Sequence, residues 1–265
     1  MLKEPHLVSN HIITWLKEYA LNAKVKGFVV GVSGGIDSAV TASLCARTGL
    51  EIYGIEMPIH QHPDHVSRAQ SMQAKLEIDF DNFKAIRIDL TPVFEAFVAS
   101  NKADPKDDSM AFSLANSRAR LRMTTLYYYA TLNGLLVAGT GNKVEDFGVG
   151  FYTKYGDGGV DVSPIADLLK SEVFQLGRFL NVPRAILEAA PSDGLFGDAR
   201  TDEDQIGANY DELEWAMQAS KIGQTADDFN GRQKEVMSIY TSFQMRNQHK
   251  MIPIPVCQIP VEFKI

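Results

Sequence analysis

The stretch Gly27-Phe-Val-Val-Gly-Val-Ser-Gly-Gly-Ile-Asp-Ser38 decides the fold. Its first six residues are a short apolar run, of the length and β-branched character of a buried strand. Ser33-Gly34-Gly35 ends that run, and Asp37 to Arg47 reads as the helix that follows. Outward from this unit the pattern repeats. Glu51 to Met57 reads as a second strand, about Asp64 to Leu76 as a polar helix, and Lys84 to Asp89 as a third strand. A short helix follows Pro92, a long one runs from about Ser113 to Leu132, and Gly134 to Gly139 reads as a fourth strand. Upstream, Leu7, Val8, Ile12, Trp15, Leu16 and Tyr19 recur at helical spacing between His6 and Tyr19. Strands alternating with helices indicate βαβ units. The expected fold is α/β, a Rossmann-like open parallel sheet flanked by helices.

Beyond Gly139 the texture changes. Gly141 to Gly159 is rich in Gly and Asp and reads as loop. Helices are expected from about Ile165 to Leu180, Ile206 to Ala219 and Ala226 to Arg246. The tail, with Pro253, Pro255 and Pro260, reads as extended. The polar stretch from Ser192 to Asp204 reads as a mobile loop. The chain has 265 residues, near the ceiling of about 250–300 at which one core stops growing. Nothing resembles a linker, so residues 1–265 are expected to form one domain.

Apolar residues are 45% and charged residues 22%, ordinary globular usage; 26 Lys and Arg against 33 Asp and Glu leave a formal net charge of −7. A surface that acidic argues against non-specific nucleic-acid binding, which needs clustered cations against phosphate. Cys45 and Cys257 stand in no zinc or disulfide spacing, and no stretch has the apolar length of a signal peptide or membrane span. No membrane association and a cytoplasmic location are expected.

The Ser-Gly-Gly turn lies where an open parallel sheet binds ligands, beyond the carboxyl end of a strand. Glycines let backbone N–H groups approach a phosphate, and the helix N-terminus behind them adds unpaired donors and partial positive charge. Ser33 and Ser38 add hydroxyls. Asp37 beside phosphates is repulsive unless a divalent cation sits between, which makes it a candidate metal ligand. No Walker loop and no GxGxxG occurs.

Ser33-Gly-Gly-Ile-Asp-Ser38 resembles the pyrophosphate loop of the N-type ATP pyrophosphatases, enzymes that cleave ATP between the α and β phosphates and adenylate a substrate oxygen. The loop by itself does not choose among them. A second cluster, Thr140 to Pro164, reads TGNKVEDFGVGFYTKYGDGGVDVSP. It supplies Lys143, Glu145, Lys154, Asp157 and Asp161 after the fourth strand, beside the phosphate loop. Glu145 can offer a second carboxylate to a cation held by Asp37, and Lys154 and Lys170 can face anionic oxygens. The run Gly139-Thr140, Glu145, Gly150-Phe-Tyr-Thr-Lys-Tyr-Gly-Asp-Gly-Gly159, Asp161, Pro164 and Lys170 is similar to the signature of the NAD synthetase family. One departure stands out: five residues separate Glu145 from Phe151, one more than in some members.

The resemblance implies an adenine nucleotide alpha hydrolase-like fold and a homodimeric, AMP-forming ligase. That enzyme amidates deamido-NAD to NAD with ATP and ammonia, through an adenylate, as the last step of NAD biosynthesis. It implies that Gly31, Val32, Ser33, Gly34, Gly35, Ile36, Asp37 and Ser38 hold ATP with Thr140, Lys170 and Ser192. Asp37 and Glu145 would bind Mg²⁺. Arg120, Lys154, Asp161, His249 and Lys250 would contact deamido-NAD, Lys170 would stabilise the leaving pyrophosphate, and Asp157 or Asp161 would take the proton from ammonium. Glutamine-using versions add an amidase domain, and the signatures here fill the chain, so free ammonia is the expected donor. On the long helix Arg120 lies about 200° from Arg118, toward Asn116, Thr124 and Tyr127; Arg118 and Arg122 share another face and are expected at the surface or in salt bridges. Tyr127, Tyr128 and Tyr129 are adjacent and cannot share one core, so at least one is expected to meet a partner subunit. Two other readings stay open: an adenylating enzyme acting on a purine or a tRNA base, and a non-catalytic nucleotide-binding module.

Overall fold

Four apolar runs become the four strands of one parallel sheet in the computed structural model, which describes residues 2–104, 106–192 and 201–264. The strands are β1 (Gly27–Gly31), β2 (Glu51–Glu56), β3 (Phe83–Arg87) and β4 (Leu136–Ala138), in spatial order β3-β2-β1-β4. The register sets Val29 beside Tyr53 and Val137, and Gly31 beside Ile55. Strand alternation then divides the core. Phe28, Val30 and Ile52 pack on one face under α1 (Pro5–Ala23) and α2 (Ile36–Ala46). Val29, Ile55 and Val137 pack on the other face, under α4 (Thr91–Asn101) and α5 (Asp108–Asn133). α3 (Pro63–Asp79) crosses between β2 and β3, with Met72 and Leu76 buried on the first face.

The second half differs from the sequence reading in ways that local chemistry explains. α5 begins at Asp108, five residues before the expected Ser113, because Asp107 accepts hydrogen bonds from the N–H groups of Ser109 and Met110. The stretch expected as loop from Gly141 to Gly159 contains a π-helix, Val144–Val149. α6 is Lys170–Phe179, starting five residues later than Ile165, and α7 is the short Arg184–Leu187. The helix expected over Ile206 to Ala219 is two, α8 (Asp202–Ile206) and α9 (Tyr210–Lys221). Gly207 at φ +86 ends the first, and Asn209 caps the second by accepting from the Glu212 N–H. The last helix, α10, is Gly231–Met251, preceded by a 3₁₀ turn at Ala226–Asp228. A further apolar cluster joins the π-helix residues Val144 and Val149 to Leu213 of α9 and to Val236 and Tyr240 of α10. The tail is extended and exposed apart from one 3₁₀ turn at Val261–Phe263.

Of the loop expected from Ser192 to Asp204, residues 193–200 lie outside the described residues. No helix among the described residues is long and apolar enough to cross a membrane. Cys45 is buried and Cys257 exposed, both as free thiols.

Candidate active site

A cavity of about 270 Å³ opens beyond the carboxyl ends of β1, β2 and β4, where an open parallel sheet places its ligands. Gly31 through Ser38 line it, as do Thr140, Glu145, Asp157, Lys170 and Ser192. The phosphate loop is braced from within. Ser38 Oγ accepts from the Ser33 N–H at 3.2 Å and donates to the Gly35 carbonyl at 3.0 Å. Gly34 has φ +82, and a Cβ there would lie 2.5 Å from the His65 carbonyl, so α3 closes against the loop only because this residue has no side chain.

On the cavity floor Lys170, 3% exposed, is the first residue of α6. Its ammonium donates to Asp37 Oδ2 at 2.6 Å and to Glu145 Oε1 at 2.9 Å. Asn142 Nδ2 donates to Asp37 Oδ1 at 3.0 Å, and the Tyr210 hydroxyl donates to Glu145 Oε1 at 2.6 Å. Burial alone would lower the Lys170 pKa, but the two carboxylates outweigh it and hold the ammonium protonated. Burial raises the Asp37 pKa above the ordinary carboxylate value, against the pull of Lys170. Burial acts on Glu145 in the same direction, yet Lys170 and the Tyr210 hydroxyl hold its pKa down. The trio therefore keeps carboxylate charge beside one ammonium at the floor of the cavity.

That one ammonium reaches both carboxylates is the observation that tests a shared metal. Asp37 and Glu145 converge on a single cation-sized point, and no group of three or more His, Cys, Asp or Glu among the described residues forms a closed cage. Two carboxylates with an open side suit Mg²⁺, which keeps waters and substrate phosphate oxygens in its shell.

Most of the stretch between Glu145 and Phe151 lies in the π-helix Val144–Val149. Its wider turn lets the Gly150 and Phe151 N–H groups both reach back to the Glu145 carbonyl, so Glu145 still faces Asp37 and Lys170.

Four of the five residues expected at the dinucleotide, Arg120, Lys154, His249 and Lys250, gather in a second place, outside the cavity lining, and Asp161 is not joined to them. Lys154 Nζ donates to the His249 carbonyl at 2.6 Å, and Arg120 Nε donates to the Lys154 carbonyl at 3.4 Å. Lys250 Nζ donates to the carbonyls of Gly150 and Tyr152 at 2.9 and 2.7 Å. The face of α5 expected to carry Arg120 meets the glycine loop: Thr153 Oγ1 bonds Asn116 Oδ1 at 2.6 Å, and the Tyr127 hydroxyl donates to Asp161 Oδ1 at 3.0 Å. Asp161 also accepts from the Val137 N–H at 2.8 Å. Its carboxylate thus ties α5 to β4 rather than lining the cavity. Asp157 does line it, while accepting from the Thr153 N–H at 3.0 Å.

Several groups at the cavity lay beyond sequence reasoning. Arg122, expected at the surface or in a salt bridge, is a wall of the cavity and donates to the Met57 carbonyl at 3.0 Å and to Gln61 Oε1 at 2.9 Å. Its face-mate Arg118 lies 4.1 Å over the Phe94 ring. α5 is used on several sides, against β1, β4, α4 and the glycine loop, so no single polar face marks the cavity side. Asp146 lines the cavity too, where burial first and then the charges of Glu145, Asp157 and Asp37 push its pKa up to about 8. The Glu-Asp pair at 145 and 146 was the available signal.

A family model described as NAD synthase matches residues 8–253. An NH(3)-dependent NAD(+) synthetase of Carboxydothermus hydrogenoformans is 37% identical, covering 90% of this chain and 92% of its own. The corresponding protein of Methanococcoides burtonii is 44% identical over 76% of this chain and 74% of its own. Among solved structures, an NMN synthetase from Francisella tularensis superposes with a TM-score of 0.84 at 33% identity, covering 97% of this chain and 99% of the other.

Proposed function

The chain belongs to the NAD synthase family, and from that premise we propose that it amidates the nicotinate carboxylate of deamido-NAD with ATP and ammonia, the final step of NAD formation. The observation that carries this reading is the Lys170 ammonium shared by Asp37 and Glu145 beneath the phosphate loop. A carboxylate is not amidated directly, because its leaving group would be oxide. Attack of the nicotinate carboxylate on the α-phosphorus forms the acyl-adenylate and expels pyrophosphate. Ammonia then adds to the acyl carbon, AMP leaves, and one proton is released. One hard step becomes two easier ones.

The residues divide the work accordingly. The amides and hydroxyls of Gly31 to Ser38, with Thr140 and Ser192, bind the ATP phosphates. Lys170 faces the charge that grows on the leaving pyrophosphate, an electrostatic effect worth about 3–4 kcal/mol per donor at such sites. Mg²⁺, held by Asp37 and Glu145, would neutralise phosphate charge when bound. Asp157, which lines the cavity, takes the proton of ammonium in this reading; Asp161 is less suited, its oxygens being engaged by Val137 and Tyr127. Arg120, Lys154, His249 and Lys250 receive the dinucleotide. The enzyme works in the cytoplasm, and it works as a homodimer, the latter supported by the exposed Tyr128 and Leu132 one turn apart on α5.

A second reading is favoured by the Francisella relative, whose name specifies the mononucleotide product: the same chemistry on nicotinate mononucleotide. One assay separates the two. The protein is given ATP, Mg²⁺ and ammonium with either deamido-NAD or nicotinate mononucleotide, and AMP and the amide product are measured. A higher kcat/KM with deamido-NAD supports the first reading, and the reverse order supports the second. AMP without either amide overturns both.

A further inference from the structure

Asn142 is fully buried, at 0% exposure, just after β4, and both polar atoms of its side chain are spent on the supports of the two carboxylates. Its Nδ2 donates to Asp37 Oδ1 at 3.0 Å. Its Oδ1 accepts from the Val144 and Glu145 N–H groups at 3.1 and 3.2 Å, which caps the start of the π-helix. The orientation of the amide is dictated by these partners. Turned over, it would set an oxygen against Asp37 and an NH₂ against two N–H donors.

The consequence is geometric. The terminal torsion of an aspartate is broad, so nothing in Asp37 itself fixes the plane of its carboxylate. The Asn142 bond takes Oδ1 and leaves Oδ2 aimed at the point where Lys170 Nζ sits. The same amide, through its Oδ1, sets the N-terminus of the helix whose second residue, Glu145, aims Oε1 at that point too. One side chain thereby registers two ligands that lie 108 residues apart, 145 − 37.

We propose that Asn142 is a positioning residue that aims Asp37 and Glu145 at one shared cation, so that metal affinity, more than the stability of the fold, depends on its amide. The proposal rests on the reading of Asp37 and Glu145 as the cation pair, and the test separates the two. Mn²⁺ affinity is measured by calorimetry in the presence of α,β-methylene-ATP, which is not cleaved, for the wild type, Asn142→Ser and Asp37→Asn. A serine at 142 still caps the helix through its hydroxyl but is too short to reach Asp37. Asn142→Ser is expected to weaken Mn²⁺ binding about 10–100-fold, the size seen for second-layer partners of metal ligands. Its urea midpoint should stay close to wild type. Asp37→Asn should lose more affinity still.

Wild-type Mn²⁺ affinity in Asn142→Ser, with affinity lost in Asp37→Asn, overturns the positioning role and leaves the cation pair standing. Wild-type affinity in Asp37→Asn overturns the pair and the proposal with it. If the serine leaves too large a void to fold, Asn142→Thr fills more of it with the same cap and is read by the same criterion.

Discussion

The floor of the cavity and the patch of Arg120, Lys154, His249 and Lys250 proposed for the dinucleotide are built in opposite ways. On the floor, Lys170, Asp37, Glu145, Asn142 and Tyr210 are bonded to one another at 2.6–3.0 Å in a buried network. In the patch, Lys154 and Lys250 give their ammonium groups to backbone carbonyls, and Arg120 and His249 are exposed. A network of mutually satisfied charges holds its groups in place before the reacting phosphates arrive. Cations resting on carbonyls are neutralised only in part and are free to exchange those bonds for a stronger anion. The first arrangement suits chemistry, the second capture of an anionic substrate.

The largest effect that would break this contrast comes from Lys170. Lys170→Met should lower the rate of pyrophosphate release about 10²–10³-fold and cost about 1–3 kcal/mol of stability, because two partly buried carboxylates lose their counter-ion. A pyrophosphate assay and urea unfolding check both numbers. A variant as active and as stable as the wild type would mean that the floor is no more preorganised than the patch.

The division of α5 between the two regions gives a finer test. Arg122→Gln should raise KM for ATP about 10–100-fold, the range expected for losing charged hydrogen bonds, with KM for the dinucleotide little changed. Arg120→Gln, two residues earlier, should do the reverse. Equal effects of both variants on both substrates would erase the boundary drawn along this helix. A smaller effect is expected from Lys250→Ala, about tenfold on KM for the dinucleotide and little on kcat, since its present partners are the carbonyls of Gly150 and Tyr152.

The smallest expected effect concerns the thiols. Burial pushes Cys45 up to about 12, and the thiolate is the reactive form, so at pH 8 its protonated thiol is inert. Cys257 is exposed. Ellman's reagent should therefore titrate one thiol in the native chain and two after denaturation, with activity unchanged by the first. Two rapid thiols in the native protein would show that the core beneath the floor opens easily.

The strands and the phosphate loop were legible in the sequence because each rests on local chemistry. An apolar run of five or six residues before Ser-Gly-Gly reads one way in almost any context. The breaks in the second half were less so: Ile206 to Ala219 keeps an apolar helical period across Gly207, which only the left-handed φ of that glycine interrupts. The π-helix was hidden inside a Gly and Asp-rich stretch, where composition points to loop. The sequence leaves Arg122 to the surface or a salt bridge, because helix geometry relates residues on one helix to each other and says nothing about what packs against each face.

What the sequence by itself determined is the order of strands and helices, the chemical kind of loop at the end of β1, and the family signature from Gly139 to Lys170. Each depends on residues near one another along the chain. Only the tertiary structure decided which groups share one cation-sized point, which arginine walls the cavity, and that Asn142 stands between Asp37 and Glu145. Apart from the local bond between Asn142 and Glu145, those partners are separated by 25 to 133 residues. Their contacts are made when parallel strands bring distant turns to one sheet edge, and the short range of hydrogen bonds and charge pairs in a buried site then selects among them.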